Sequence, residues 1–252
     1  MNHEPSVCKH NLSAPFLELR DIFFVYPGAA IPALDKLNFI PDKGKVGLIG
    51  SNGSGKTTLF HVIMGLLKPN GGQLFFKGTP MVTEKDFREL RREVGLLFQD
   101  ADDQLFSPTV LEDVAFGPLN LGMSPAKARE AACLTLSKLG LSDLEERVTH
   151  HLSGGEKKLV SLATILVMEP KLLLLDEPTN NLDSVTRMRL IEILSRLELS
   201  CIIISHDWDF LAATTEEIYA MENGRLIRSG KSSLHNHFHV HLHGGHPHEH
   251  GG

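Results

Sequence analysis

The sequence predicts an α/β domain built on a mostly parallel sheet. Three observations carry that prediction. The runs Lys45–Ile49, Leu172–Leu175 and Cys201–Ser205 are short, apolar and continuous, as strands buried on both faces are. Helical stretches alternate with them. The first run is joined to its helix by a glycine-rich turn, residues 50–57, reading GSNGSGKT.

Residues 1–15 read as a disordered start. Phe16–Tyr26 and Leu37–Pro41 alternate as strands do, and Lys45–Ile49 is the next strand. Lys56–Leu67 is helical. Gln73–Lys77 follows Gly71–Gly72 as a strand, the charged segment 83–92 is a helix and Val94–Gln99 a strand. From about Ala101 to His151 the pattern is mostly helical, with Pro125 at a helix start. Lys158–Met168 and Arg187–Leu197 are helices on either side of Leu172–Leu175. Glu217–Met221 and Arg225–Arg228 flank Asn223–Gly224, a strong hairpin signal. After Ser232 the composition turns abruptly to histidine.

The chain has 252 residues, 42% of them hydrophobic and 22% charged, enough for a sizeable core without staples. A net charge of -6 speaks against a nucleic-acid partner, which requires a basic face. Cys8, Cys133 and Cys201 share no short spacing and make an odd count, which reads as a reducing compartment. The N-terminus lacks the apolar core of a signal peptide. Leu159–Met168, the longest apolar stretch, is well short of the roughly 20 residues of a membrane span. Work at a membrane would therefore need another subunit to cross it.

Residues Gly50, Ser51, Asn52, Gly53, Ser54, Gly55, Lys56 and Thr57 match G-x-x-x-x-G-K-[ST] in full, between the required strand and helix. Gly53 and Gly55 let the backbone turn its N–H groups around phosphate oxygens, and the helix N-terminus adds partial positive charge. Lys56 reaches the β- and γ-phosphates and the Thr57 hydroxyl suits Mg²⁺; Thr58 follows as a further member of the ATP site. Leu172–Leu175 runs into Asp176 and Glu177 at the strand's carboxyl end, the edge where α/β sheets bind ligands. Asp176 suits Mg²⁺, and Glu177 suits polarising an attacking water. Without the phosphate loop, solvated acids capping a strand would be an equal reading. His206 follows Cys201–Ser205 in the same way, a weak signal by itself.

A third motif narrows the family. Residues 152–158 read LSGGEKK directly before a helix, after the phosphate loop and ahead of the strand LLLLDEPT, Asn181-Leu182-Asp183 and the histidine strand. The set resembles the ATP-binding-cassette (ABC) ATPases over about residues 16–230. That resemblance implies a phosphate-loop core, an N-terminal antiparallel β-subdomain and an inserted helical subdomain at about 101–160. The ATPase domain would span 16–232 and the tail 233–252. It implies further that Tyr26 stacks on adenine, that Gln99 senses Mg²⁺ and contacts the transporter, and that Asp183 links two sites. Ser153, Gly154, Gly155 and Glu156 would contact ATP held by a second cassette, most simply a second copy of this chain. Glu177 would be the catalytic glutamate and His206 the switch histidine. Two positions depart from the family: Glu156 replaces the commoner glutamine, and Leu159 stands where arginine or glutamine is frequent. The activity implied is ATP hydrolysis driving integral membrane subunits, from the cytoplasmic face.

Residues 98–123, FQDADDQLFSPTVLEDVAFGPLNLGM, are similar to the cassettes of energy-coupling-factor importers, which take up vitamins and transition metals. The tail adds His235, His237, His239, His241 and His243, alternating with Asn236, Phe238, Val240 and Leu242, and then His246, His248 and His250. An extended chain puts the first five imidazoles on one side, a good ligand set for nickel, cobalt, copper or zinc. A purification tag and a solvated tail of incidental affinity are the competing readings. With the cassette, the tail points to the ATPase of a nickel or cobalt importer. The rivals are the same ATPase serving a vitamin importer, and a metal-storage or metallochaperone protein with a regulatory nucleotide site. Storage needs no catalytic glutamate, and co-purification of an integral membrane partner would separate it from the importers. Deleting residues 235–252 is expected to leave basal ATP hydrolysis nearly unchanged.

Overall fold

The computed structural model describes residues 14–41 and 44–229. Its strands are Leu17–Phe24 (β1), Leu34–Phe39 (β2), Lys45–Ile49 (β3), Gly71–Phe76 (β4), Thr79–Pro80 (β5), Val94–Leu97 (β6), Leu172–Asp176 (β7), Ser200–Ile204 (β8), Glu217–Glu222 (β9) and Arg225–Ser229 (β10). The helices are Lys56–Ile63 (α1), Glu84–Glu93 (α2), Val110–Asn120 (α3), Pro125–Lys138 (α4), Gly154–Leu166 (α5), Ser184–Arg196 (α6) and Trp208–Thr214 (α7).

Two sheets form. The first has the order β2-β1-β4-β5 and is antiparallel throughout. The second has the order β10-β9-β3-β8-β7-β6; β9, β3, β8, β7 and β6 run parallel and β10 closes the edge as an antiparallel hairpin with β9. The Asn223–Gly224 turn makes that hairpin, with Asn223 at φ 48° and Gly224 at φ 74°.

The apolar runs behave as strands buried on both faces. Leu173, Leu175, Cys201 and Ile203 point into a core shared with α3, α4, α5, α6 and α7. Leu172, Leu174, Ile202 and Ile204 point the other way, into a core shared with α1 and the antiparallel sheet. Period-2 alternation divides each run between two cores, so neither face reaches water.

The structure departs from the expected elements in places with physical causes. α5 begins at Gly154, not Lys158, because Ser153 and Glu156 form a reciprocal capping box that starts the helix inside LSGG. α1 ends at Ile63, short of Leu67, and the chain turns at Gly65 (φ 69°). α7 has no counterpart in the sequence reading; its seven residues are started by Asp207, whose carboxylate accepts the Phe210 N–H at 2.9 Å. β2 starts at Leu34, three residues before the alternation suggests.

Candidate functional site

Strand register decides which side chains meet. Leu48 of β3 lies beside Ile204 of β8, Ile204 beside Asp176 of β7, and Leu175 beside Leu97 of β6. All four strands run parallel, so the residues after them leave at one edge: Gly50, Ser205–His206, Glu177 and Phe98–Gln99. This is the carboxyl edge at which α/β sheets bind ligands.

The loop after β3 is shaped by backbone conformations that side chains resist. Gly50, Gly53 and Gly55 have φ values of 154°, 78° and 108°. At Gly50 a Cβ would lie 2.4 Å from the Met221 carbonyl oxygen and 2.8 Å from Ser54 Oγ. Lys56 bends back over this loop, Nζ donating to the carbonyls of Gly50 at 2.7 Å and Ser51 at 3.0 Å. Burial pushes its ammonium below the usual lysine range, and Glu177 and Asp176 oppose that shift. α1 starts at Gly55 without a side-chain cap, leaving its N-terminal dipole directed at the loop.

A cleft of about 780 Å³ opens here, lined by Tyr26, Asn52, Gly53, Gly55, Lys56, Thr57, Thr58, Gln99, Asp176, Glu177 and His206. Tyr26 stands at its wall with its ring edge-on to Phe24, centroids 4.8 Å apart, and its hydroxyl 3.1 Å from Thr58 Oγ1. Gly50 and Ser51 line a neighbouring depression with His206 and Trp208. Ser54 is buried, with Oγ lacking a hydrogen-bond partner.

Asp176 is 4% exposed and its Oδ1 has no hydrogen-bond partner. Burial pushes its carboxyl up; Thr57, His61, Lys56 and Lys158 pull it back toward ionisation. A buried, unpartnered carboxylate oxygen beside a threonine hydroxyl fits Mg²⁺, which is held by one or two carboxylates together with phosphate oxygens. Thr57, Asp176 and Gln99 are thus suited to that ion.

Glu177 sits in the left-handed region, φ 45°, a conformation costly for a side chain of its size. Its N–H donates to the Ile204 carbonyl at 2.9 Å and its Oε2 accepts the His206 N–H at 3.2 Å. Oε1 is buried, and His206 Nε2 lies 3.2 Å away outside hydrogen-bond alignment. The side chain of Glu177 is 7% exposed and that of His206 50%, so a sealed carboxylate faces the cleft beside an accessible imidazole. That pairing can orient a water and a phosphate oxygen.

The LSGG residues lie at the start of α5. Ser153 Oγ accepts the Glu156 N–H at 3.3 Å, and Glu156 Oε2 accepts the Ser153 N–H at 2.7 Å. That bond from Ser153 holds the Glu156 carboxyl below its ordinary range. Gly154 lines a second cleft with Thr57, His61 and Gln99, whereas Ser153, Gly155, Glu156 and Asp183 line neither cleft. Gly155 is pressed on α6: a Cβ there would be 2.8 Å from Thr186 Oγ1. Asp183 caps α6, Oδ1 accepting from the Val185 and Thr186 N–H groups and Oδ2 from the Thr186 hydroxyl at 2.7 Å. The eight tail histidines, His235 to His250, lie outside the described residues.

Sequence reasoning passed over three residues that shape the site. Lys158 is 3% exposed and Gln104 is half-buried; both bind backbone of the segment that carries Gln99. Arg187 pairs with Asp207, Nε to Oδ2 at 2.6 Å and Nη2 to Oδ1 at 2.8 Å, tying α6 to the turn after His206. A signal existed for the first: Lys158, Ser161, Leu162 and Ile165 form an i, i+3, i+4, i+7 stripe, and a lysine there is bound for the interior.

Comparison with known proteins gives a consistent set. The family model described as "ABC transporter" matches residues 34–180, more than half of the chain. A protein of Nitratidesulfovibrio vulgaris named as an ABC transporter ATP-binding protein is 53% identical over 237 residues, covering 94% of this chain and 86% of that one. The energy-coupling factor transporter ATP-binding protein EcfA of Methanoculleus marisnigri is 44% identical, over 85% of this chain and 78% of that one. Among solved structures, cbiO1 of Clostridium perfringens, described as part of the ABC transporter complex cbiONQ, superposes with a TM-score of 0.76 at 35% identity, over 86% of this chain and 88% of that one. A dimeric ATP-binding cassette in a post-hydrolysis state, bound to ADP and Pi, gives a TM-score of 0.77 at 25% identity, over 85% and 98%.

Proposed function

This chain belongs to the ABC transporter ATPases, and on that premise we propose that it powers an energy-coupling-factor-type importer whose cargo is nickel or cobalt. The observation that carries the catalytic part of this reading is the single sheet edge bearing the Lys56 loop, Asp176, Glu177, His206 and Gln99. Support for the importer type comes from the run 98–123 and from the likeness to an EcfA protein and to cbiO1. The cargo reading rests on the histidine tail; a vitamin importer is the alternative.

In the mechanism proposed, Lys56 and the loop N–H groups bind the β- and γ-phosphates and Tyr26 stacks on adenine. Thr57, Asp176 and Gln99 would hold Mg²⁺, which supplies neutralisation of the charge developing on the phosphates. Glu177 accepts a proton from the attacking water as it is aligned, and His206 donates to the γ-phosphate. Ser153 and Gly154 complete the site of a second cassette, and Asp183 joins the two sites across a two-fold pair. Closing and reopening of the pair drives membrane subunits docked near Gln99. Among the described residues no helix is long and apolar enough to cross a membrane, in keeping with a peripheral subunit that needs such partners. The domain spans residues 16–232, with the tail as a metal buffer or sensor outside hydrolysis.

The cargo is tested by uptake of labelled nickel and cobalt in cells with and without the gene. Loss of nickel or cobalt uptake in the deletion strain, restored by the wild-type chain and not by the Glu177→Gln chain, is expected. Unchanged uptake of both ions would rule out a metal cargo.

A further inference from the structure

A cationic side chain buried behind Gln99 is unaccounted for by the ATPase mechanism. Lys158, in the second turn of α5, is 3% exposed. Its Nζ donates to the Gln99 carbonyl at 2.6 Å and to the Phe98 carbonyl at 3.2 Å, residues 59 and 60 positions away in sequence. Asp100 and Asp176 are the acids whose field it feels. Burying an ammonium is unfavourable unless hydrogen bonds replace its water, and here two carbonyls of one short segment do so.

The same segment is tied to α5 twice more. The Gln104 side chain donates from Nε2 to the Ser161 carbonyl at 2.9 Å and to Thr164 Oγ1 at 3.0 Å, while its Oε1 accepts the Phe98 N–H at 3.3 Å. Lys157 Nζ meets Asp102 Oδ1 at 2.5 Å. Residues 98–104 therefore leave the sheet at the end of β6 and are bound at once to the helix that starts at Ser153. Hydrogen bonds to an ionised donor are about twice as strong as neutral ones, which sets Lys158 above the Gln104 bonds, and its burial shields it from the solvent screening that weakens the more exposed Lys157–Asp102 pair.

We infer that Lys158 is a positioning residue that makes the Gln99 segment and the Ser153 helix one rigid body, so that γ-phosphate sensing and presentation of the LSGG face move together. In a loosely hinged cassette the two could shift independently. Here a displacement of Gln99 at one end is transmitted to Ser153 through the first turns of α5. The inference rests on the ATPase reading above but concerns only how its parts are coupled.

The test links the two elements covalently. In a chain carrying Cys8→Ser, Cys133→Ser and Cys201→Ala, the exposed pair is replaced by Asp102→Cys and Lys157→Cys and bridged with a short reducible bifunctional thiol reagent. A rigid body predicts ATP turnover within about twofold of the unbridged protein, since the bridge restrains nothing that moves; independent motion predicts a loss of about tenfold or more, reversed by reduction, and overturns the inference. Lys158→Met, which keeps the aliphatic stem and removes the donor, should lower kcat about tenfold with KM changed less than about threefold. In a Glu177→Gln background it should also weaken ATP-driven pairing, measured as molar mass, while ATP affinity without magnesium stays unchanged. Wild-type kcat and pairing in Lys158→Met would overturn the proposal; should that variant not fold, Gln104→Leu carries the same expectations. Failure of the parent chain to bind ATP would defeat the ATPase reading instead, so the two failures are distinguishable.

Discussion

Glu177 concentrates the chemistry of the site into one residue. Its φ of 45° is held by backbone bonds to Ile204 and Asn180, and the result is a buried carboxylate oxygen that accepts no hydrogen bond and has His206 Nε2 3.2 Å away. Strain of this kind persists where surrounding structure over-determines it. Glu177→Gln keeps the shape and removes the proposed proton acceptor. ATP turnover is expected to fall about 10²-fold or more, with ATP affinity retained, as measured by phosphate release and equilibrium binding. Asp207 shows the complementary case, a residue whose charge serves stability. Arg187 holds its carboxyl below the ordinary range, aided by the Phe210 N–H. A depressed folded pKa contributes stability above the unfolded value, and that contribution is lost as pH falls through the folded one. Asp207→Asn should therefore cost about 1 kcal/mol at neutral pH, the pair being only partly buried, and the difference should vanish in acid below the carboxylate range. Urea melts of both proteins across pH check this.

At the scale of elements, α5 is the part where sequence and structure inform each other most. LSGG is legible as a motif, yet the sequence reading starts the helix at Lys158, and two adjacent glycines are poor helix formers. The reciprocal cap between Ser153 and Glu156 overrides that propensity. It also explains why Glu156 is compatible with the motif: glutamate caps as glutamine does, while adding a negative charge to the first turn. Gly155 is required for contact with α6, and Gly155→Ala should destabilise by about 1–3 kcal/mol, part of it recovered by Thr186→Ala in thermal melts. Strands buried on both faces, the phosphate loop and the β9–β10 hairpin were readable because each is a local pattern. The Arg187–Asp207 pair and the ties to Lys158 were not, since they depend on partners 20 to 60 positions away that no short window contains.

For the whole molecule, the division of labour follows from sheet order. Placing β3 beside β8, and β8 beside β7, gathers the phosphate loop, the histidine and the two acids at one edge, whereas the LSGG turn is carried on α5 and does not line that cleft. Ser153 and Glu156 satisfy one another within the chain, but Ser153 and Gly154 remain exposed at the start of α5 and line no part of the cleft that holds Lys56 and Glu177. A helix start that offers N–H groups to an anion, set apart from the chain's own phosphate loop, is what a head-to-tail pair requires, each copy completing the other. Two cassettes sandwiching nucleotide are therefore the central expectation. The most direct measurement is the molar mass in solution of Glu177→Gln with ATP and magnesium, by light scattering. Twice the monomer mass with ATP, reverting to the monomer with ADP or on Ser153→Arg, is the result predicted. A protein that binds ATP with magnesium yet stays at the monomer mass would contradict it.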